Sequence, residues 1–235
     1  MSAQRLPGKP LLEINNIPVI SHVVKRGQEA NIGEVVVCAE DEAIISAVKK
    51  NGGKAILTGS QHKNGTERIF EGLQKLNINE AEYIMLLQGD EPAINPNDIR
   101  NLYHLMTQYN PDIGTLASEV KESSMWDNEN IVKVKTIEKL KKNNFVKAIS
   151  FSRNNLSKKS SNVYHHIGIY CYKILALKKF VKLEQTKNEI ENKLEQLRAM
   201  DNSMQINVAL AKSSYIGIDT QEDYLALKKI MEYKS

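Results

Sequence analysis

An α/β fold with a mostly parallel sheet flanked by helices is what this chain predicts, and three observations predict it. Short, continuous β-rich runs alternate with amphipathic helical patterns through the first half. After Ser118 the alternation gives way to two β-like segments joined by a Lys/Asn-rich turn, the pattern of an inserted β-hairpin subdomain. Glycine- and acid-bearing turns follow the strand ends, where open α/β sheets place their ligands. The 235 residues, 41% of them hydrophobic, suffice for one substantial core, so residues 1–235 are expected to form a single domain with an inserted subregion at about 119–200.

The elements follow in order. Arg5-Leu6-Pro7-Gly8-Lys9-Pro10 sets two cations around a proline-fixed, glycine-permissive turn, which suits a backbone closing over the phosphates of a nucleotide. Residues 19–30 have helical periodicity, with Val19, Val23 and Val24 on one face. A strand at 35–38 precedes a helix at 41–50, which Asp41 would cap and Asn51-Gly52-Gly53 would stop. Strands at 54–57, 83–87 and 113–117 then alternate with helices at 66–75 and 97–108. The segments 131–137 and 146–151, joined through 139–144, make the hairpin. Residues 156–163 read as a Ser/Asn/Lys-rich connecting loop, followed by a strand at 167–172 and helices at 174–181 and 189–200. A last strand at 206–211 leads to a helix capped by Thr220 and running through Tyr233.

Composition removes several classes of function. With 32 basic against 28 acidic residues the formal charge is +4, too small and too dispersed for a polyanion-binding surface, although one local phosphate site would fit it. Cys38 and Cys171 lack the spacing of a disulfide framework or a zinc site and read as buried thiols. No apolar run approaches the roughly 20 residues that span a bilayer, and a reducing cytoplasm is the expected compartment.

Gln88-Gly89-Asp90-Glu91-Pro92 leaves the end of a strand, and there a single carboxylate can anchor Mg²⁺, which keeps waters and takes phosphate oxygens. Asp90 is equally the kind of residue that satisfies turn amides. Gly217-Ile218-Asp219-Thr220-Gln221-Glu222-Asp223 offers Asp219 as a second metal ligand or as part of an acidic helix start. Asn64-Gly65-Thr66-Glu67-Arg68 opens a helix where free amides can meet a base edge or an anion; Thr66 suits a cap better than a nucleophile. Arg153 presents a planar fork for a carboxylate, and His166 and Tyr170, four apart in a strand, can share a side. His165 and His166 point to opposite faces and make a poor metal pair. Glu195 and Gln196 would face solvent unless a pocket meets that side of their helix.

In their order along the chain, these strings resemble the 3-deoxy-manno-octulosonate (Kdo) cytidylyltransferases, with residues 130–134 and the run Leu194-Glu195-Gln196-Leu197-Arg198 adding to the likeness over nearly the whole chain. The resemblance implies a Rossmann-like nucleotide-diphospho-sugar transferase fold, a homodimer, and Mg²⁺-dependent joining of CTP and Kdo into CMP-Kdo and pyrophosphate for lipopolysaccharide assembly. It also implies that Arg5, Gly8 and Lys9 hold the triphosphate, that Gly65, Thr66, Arg68 and Gln88 border the cytidine, and that Asp90 and Asp219 bind magnesium, Lys9 joining these two in catalysis. Arg153, His166, Tyr170, Glu195 and Gln196 would hold the sugar acid, within the 119–200 subregion that also serves dimerisation. Cytidylyl transfer to another acidic sugar, such as 8-amino-Kdo or a sialic-acid-like acid, is the neighbouring reading, and a catalytically silent nucleotide-binding protein the more distant one. Members of the family place a strand and a further arginine before the first turn, so an upstream start is expected here. Before Leu194 they carry a proline and a second glutamate where this chain has Lys187 and Asn192.

Overall fold

A computed structural model of the chain describes residues 6–78, 80–120, 123–154, 156, 161–212 and 217–232. Along the chain, a 3₁₀ turn at Lys9–Leu11 leads to β1 (Glu13–Ile14), β2 (Ile17–Pro18), α1 (Val19–Ala30), β3 (Val36–Ala39), α2 (Glu42–Lys50), β4 (Lys54–Leu57) and α3 (Gly65–Lys75). Next come β5 (Tyr83–Leu86), α4 (Pro96–Tyr109), β6 (Ile113–Ser118), α5 (Ser123–Asp127), β7 (Lys133–Thr136), β8 (Phe145–Ser152) and β9 (Val163–Lys173). The helices α6 (Ile174–Phe180), α7 (Lys187–Asn192) and α8 (Gln196–Asp201), the strand β10 (Ile206–Leu210) and α9 (Gln221–Glu232) complete the described residues. They group into two compact units, one of residues 1–79, 87–100 and 215–235, the other of 80–86 and 101–214.

In the first unit, β1 and β2 form a small hairpin whose turn residues Asn15 and Asn16 both take positive φ, 52° and 60°, the conformation asparagine tolerates best after glycine. Helix α1 buries Val19, Val23 and Val24 as its periodicity predicts, and Asn31 ends it in the left-handed region. Asp41 caps α2 by accepting from the Ala43 amide at 2.8 Å, while Gly52, at φ 77°, turns the chain into β4. The cap of α3 is Asn64, accepting from the Glu67 amide at 2.8 Å; Thr66 lies inside the first turn and is buried. β3 and β4 pair in parallel over four residues, with Val35 and Val37 against a core of Ile20, Val24 and Val48. Cys38 stands on this two-stranded sheet half-buried rather than buried, though desolvation still pushes its thiol up to about 11.

In the second unit the sheet runs β5-β9-β6-β10-β8-β7 and closes on itself, because β9 also pairs with β7. The mostly parallel sheet expected from the alternation is not what forms. Among the described residues, only β6 with β10 here, and β3 with β4 in the first unit, are parallel; the other long pairings are antiparallel. The reason is β9, which runs from Val163 rather than from residue 167 and inserts antiparallel to both β5 and β6, two strands the alternation would set side by side. His165 lies at the closure, opposite Ser118 of β6 and Lys133 of β7. The predicted hairpin is present as β7 and β8. Gly114 lets β6 lie close under α4, since a Cβ there would come within 2.5 Å of the Met106 sulfur.

The single helix expected at 189–200 is two. Lys193 takes φ 53° and ends α7, and the chain restarts as α8 at Gln196. Thr186 caps α7 with 3.2 Å to the Glu189 amide and is itself held 2.6 Å from Asp201, so this start works without a proline. Glu189 and Arg198 then form a bidentate buried ion pair at 2.6 and 2.7 Å, with the guanidinium 4.7 Å over the Phe180 ring.

Candidate functional site

Lys9 owes its position to the turn before it and the core beneath it. Gly8, at φ 70°, caps the 3₁₀ turn in a conformation costly to a side chain, and the Leu12 amide closes on the Lys9 carbonyl at 3.2 Å. Leu6 and Leu12 pack on a core of Ile14, Val19, Ile218, Tyr224 and Leu227, so both parts of the chain that carry the site rest on the same apolar cluster. Arg5 lies outside the described residues.

The Asp90 turn is set by the Glu91 amide donating to the Gln88 carbonyl at 3.3 Å and by the Ile218 amide donating to the Asp90 carbonyl at 2.9 Å. The second bond fixes the two acidic turns side by side. Across them the Lys9 ammonium donates to Asp90 Oδ2 at 2.5 Å, to the Ile218 carbonyl at 2.9 Å and to Asp219 Oδ1 at 3.5 Å. The helix-start alternative for Asp219 resolves in favour of neighbours. Asp223 accepts from the amides of Asp219 and Thr220 at 3.1 and 2.9 Å, and Thr220 Oγ1 accepts from the Asp223 amide, which leaves the Asp219 carboxylate outside the cap. Behind them Glu91, which the sequence did not single out, has a buried Oε2 with no hydrogen-bond partner among the described residues. Burial, then the charges of Asp90 and Asp219, push its carboxyl up to about 8.

Two carboxylates and a carbonyl already gathered about one cation form an oxygen-only donor set, and a magnesium ion fits that chemistry. Among the described residues no group of three or more His, Cys, Asp or Glu side chains is arranged as a self-sufficient metal site, so substrate oxygens and water would supply the remaining ligands.

The Gly65–Arg68 segment belongs to the same unit. Arg68 donates to Thr58 Oγ1 at 2.9 Å, to the Gly59 carbonyl at 3.0 Å and to Glu40 at 2.6 Å, which ties the loop after β4 to the end of β3. Glu71, also missed in the sequence, accepts from the Gly59 amide at 3.0 Å and bonds His62 and Lys75. The bonds from Lys75 and His62 hold its carboxyl down to about 2. Gln88 is half-buried at the start of the Asp90 turn.

In the second unit His166 and Tyr170 do share a side, their rings 5.5 Å apart, with Phe151 5.0 Å beyond His166. His166 is buried, within 3.0 Å of Thr115 Oγ1, and burial pushes its imidazole down to about 3, so the ring is neutral near pH 7. His165, on the other face, is pushed down to about 4 by burial and by the charge of Lys133. Burial raises the Tyr170 phenol well above its ordinary value, with Tyr172 and Glu195 adding to the effect, which brings Glu195 into the same neighbourhood. Gln196 does not face solvent: the break at Lys193 turns it inward, and its Nε2 has no hydrogen-bond partner among the described residues. Arg153 stands just past β8, with Nη1 3.2 Å from the Glu129 carbonyl.

The cytidylyltransferase family profile matches residues 1–206. The chain is 38% identical over 232 residues to the 3-deoxy-manno-octulosonate cytidylyltransferase of Afipia carboxidovorans, covering 98% of this chain and 93% of that one. It is 40% identical over 241 residues to the enzyme of the same name from Thermodesulfovibrio yellowstonii, covering 97% and 93%. The chain belongs to the 3-deoxy-manno-octulosonate cytidylyltransferase family. Among solved structures, CMP:2-keto-3-deoxy-manno-octonic acid synthetase complexed with CTP superposes with a TM-score of 0.88 at 31% identity, over 99% of this chain and 95% of that one.

Membership makes the chain a nucleotidyltransferase, and the strings that carry the resemblance fall in two groups: Gly8, Lys9, Gly65 to Arg68, Gln88, Asp90 and Asp219 in the first unit, and residues 130–134 and Arg153 to Gln196 in the second. Glu91 had a signal in its place beside Asp90 after a strand, whereas Glu71 sits mid-helix where a solvent-facing glutamate looks the same.

Proposed function

We propose that the chain joins CTP and Kdo, and that the reaction is in-line attack of the anomeric C2 hydroxyl of Kdo on the α-phosphorus of CTP. A phosphorus–oxygen bond forms to the sugar, the α–β phosphoanhydride bond breaks, the hydroxyl proton passes to water, and pyrophosphate departs with the electron pair of the broken bond. The observation that carries this reading is the Lys9 ammonium drawn up by Asp90 and Asp219 at 2.5 and 3.5 Å, a cation site where a triphosphate would need one.

Asp90 and Asp219 would hold Mg²⁺, which when bound supplies charge neutralisation at the phosphates and lowers the pKa of the attacking hydroxyl. Lys9, with Gly8 opening the backbone before it and Arg5 preceding, would hold the triphosphate. Gly65, Thr66, Arg68 and Gln88 would border the cytidine, and the anchored loop around Arg68 supports such a role. Arg153 would take the sugar carboxylate, while neutral His166, Tyr170, Glu195 and Gln196 would bond its hydroxyls. Positioning and electrostatics suffice for such a transfer, with no covalent enzyme intermediate. Residues 119–200 would form the sugar-binding and dimerisation subregion of a cytoplasmic homodimer; no helix among the described residues is long and apolar enough to cross a membrane.

Pyrophosphate release tests this. CTP with Kdo is expected to release pyrophosphate in the presence of Mg²⁺, and a panel with 8-amino-Kdo and sialic acid is expected to show preference for Kdo. Preference for another acid reassigns the sugar, and CTP binding without release under any acid leaves a silent nucleotide-binding protein.

A further inference from the structure

Lys133 is among the most completely buried side chains of the protein, at 0% exposure, and it is a lysine. Burying an ammonium is expensive unless something answers its charge. Among the described residues no carboxylate lies within ion-pair distance of it. Its Nζ donates instead to two main-chain carbonyls, Asn128 at 2.7 Å and Arg153 at 2.9 Å. Burial holds its pKa below the ordinary value, against the opposing charges of Asp127 and Glu129, with Arg153 adding a smaller push in the same direction as burial.

Arg153 reaches back into the same segment, its Nη1 donating to the Glu129 carbonyl at 3.2 Å. Two cations therefore clip Asn128 and Glu129 to the end of β8, through backbone oxygens. Register explains how the lysine gets there: Lys133 pairs with Ser152 on one side and His165 on the other, so its side chain rises beside the last residue before Arg153. Nε and Nη2 of Arg153 have no partner among the described residues, and two parallel N–H groups are what a carboxylate takes. That leaves these two N–H groups of Arg153 for an anionic ligand.

We propose that Lys133 is a positioning residue for the acidic substrate: by holding the Arg153 carbonyl it aims the Arg153 fork at the carboxylate of the 2-keto sugar acid. This rests on the reading of Arg153 given above. Leaving the lysine out would let the end of β8 shift while the rest of the closed sheet stays paired.

The test is a double-mutant cycle on the full chain, with Lys133→Met and Arg153→Ala singly and together, followed by steady-state kinetics in both substrates. Lys133→Met is expected to raise KM for Kdo about tenfold or more and to leave KM for CTP within about twofold. In the Arg153→Ala background it is expected to add less than about twofold, because a residue acting only through Arg153 has nothing left to position. If Lys133→Met does not melt cooperatively, Lys133→Gln, which keeps amide donors for the carbonyls, takes its place in the same cycle. Additive effects, equal rises in both KM values, or an unmoved KM for Kdo overturn the proposal. Failure of the underlying reading appears elsewhere, in the unaltered protein. If another 2-keto sugar acid replaces Kdo in pyrophosphate release, the cycle is read on that acid; if none supports release, the positioning role falls with it.

Discussion

Lys9 and Asp219 stand 210 positions apart in sequence, yet the ammonium of one lies 3.5 Å from the carboxylate of the other, and Asp90 shares the same nitrogen at 2.5 Å. A divalent ion held by Asp90 and Asp219, as proposed above, would compete with this ammonium for the same carboxylate oxygens. Lys9→Met is therefore expected to do two opposite things. Binding of Mn²⁺ without nucleotide, read by electron paramagnetic resonance, should tighten a few-fold, about what a partly exposed ion pair is worth. Turnover with CTP should fall about a hundredfold or more, because the triphosphate loses its cation. Unchanged metal affinity would show that lysine and metal do not compete.

Asp90→Asn and Asp219→Asn should each lower turnover about a hundredfold or more while the melting temperature stays within a few degrees, since neither carboxylate is needed for a cap or a core contact. Either variant with full Mg²⁺-dependent activity would remove the metal role from that residue.

Glu71 gives the first unit an acid-labile anchor. Its carboxyl falls from 4.5 to about 2 on folding, through the bonds from Lys75 and His62. A depressed carboxylate pKa stabilises the folded state fully above the unfolded value and loses that contribution as pH drops towards the folded one. The gap in urea midpoint between the wild type and Glu71→Gln should thus be constant from pH 7 to about 5 and shrink steadily below about 4.5. A gap independent of pH would mean that shape, and not charge, holds the loop.

His166 should behave as a neutral hydrogen-bonding ring. With its pKa pushed down to about 3 by burial, its ring-proton NMR signal should show no inflection between pH 8 and 5. Accordingly KM for Kdo should carry no step from this residue in that interval. An inflection near pH 6.5 would place the ring in water.

Glu189→Ala should be among the most damaging substitutions in the second unit. It strands the Arg198 guanidinium, which is bonded at 2.6 and 2.7 Å in a buried site, and the loss expected is about 3–5 kcal/mol by urea unfolding. Replacing both partners with methionine should recover much of it, because no charge is left uncompensated.

The elements legible in advance were those whose signals are local. Asp41, Asn51 and Gly52 bound α2 as their side-chain chemistry dictates, and α1 runs from Val19 to Ala30 as its periodicity requires. What escaped depended on partners far along the chain. Nothing around residue 167 tells that β9 starts four residues earlier at Val163, because Tyr164, His165 and His166 are ambiguous until β6 and β7 lie beside them. Lys193 is a good helix former, yet it takes the left-handed break that ends α7, with Leu194, Gln196 and Leu197 buried just after it. In the site, the pairing of Asp90 with Asp219 was legible as a residue pattern, whereas Lys133 looked like one more lysine on a strand. Its burial follows from pairing with Ser152 and His165, which no local window contains.

β3 and β4 form a parallel ribbon with no third strand among the described residues, although parallel strands are ordinarily sheltered on every side. Amide exchange along Val36–Ala39 and Lys54–Leu57 reports how firmly this ribbon is held. The loop that Arg68 and Glu71 moor is hung from this ribbon, so a nucleotide gripping that loop would slow the exchange of amides it never touches.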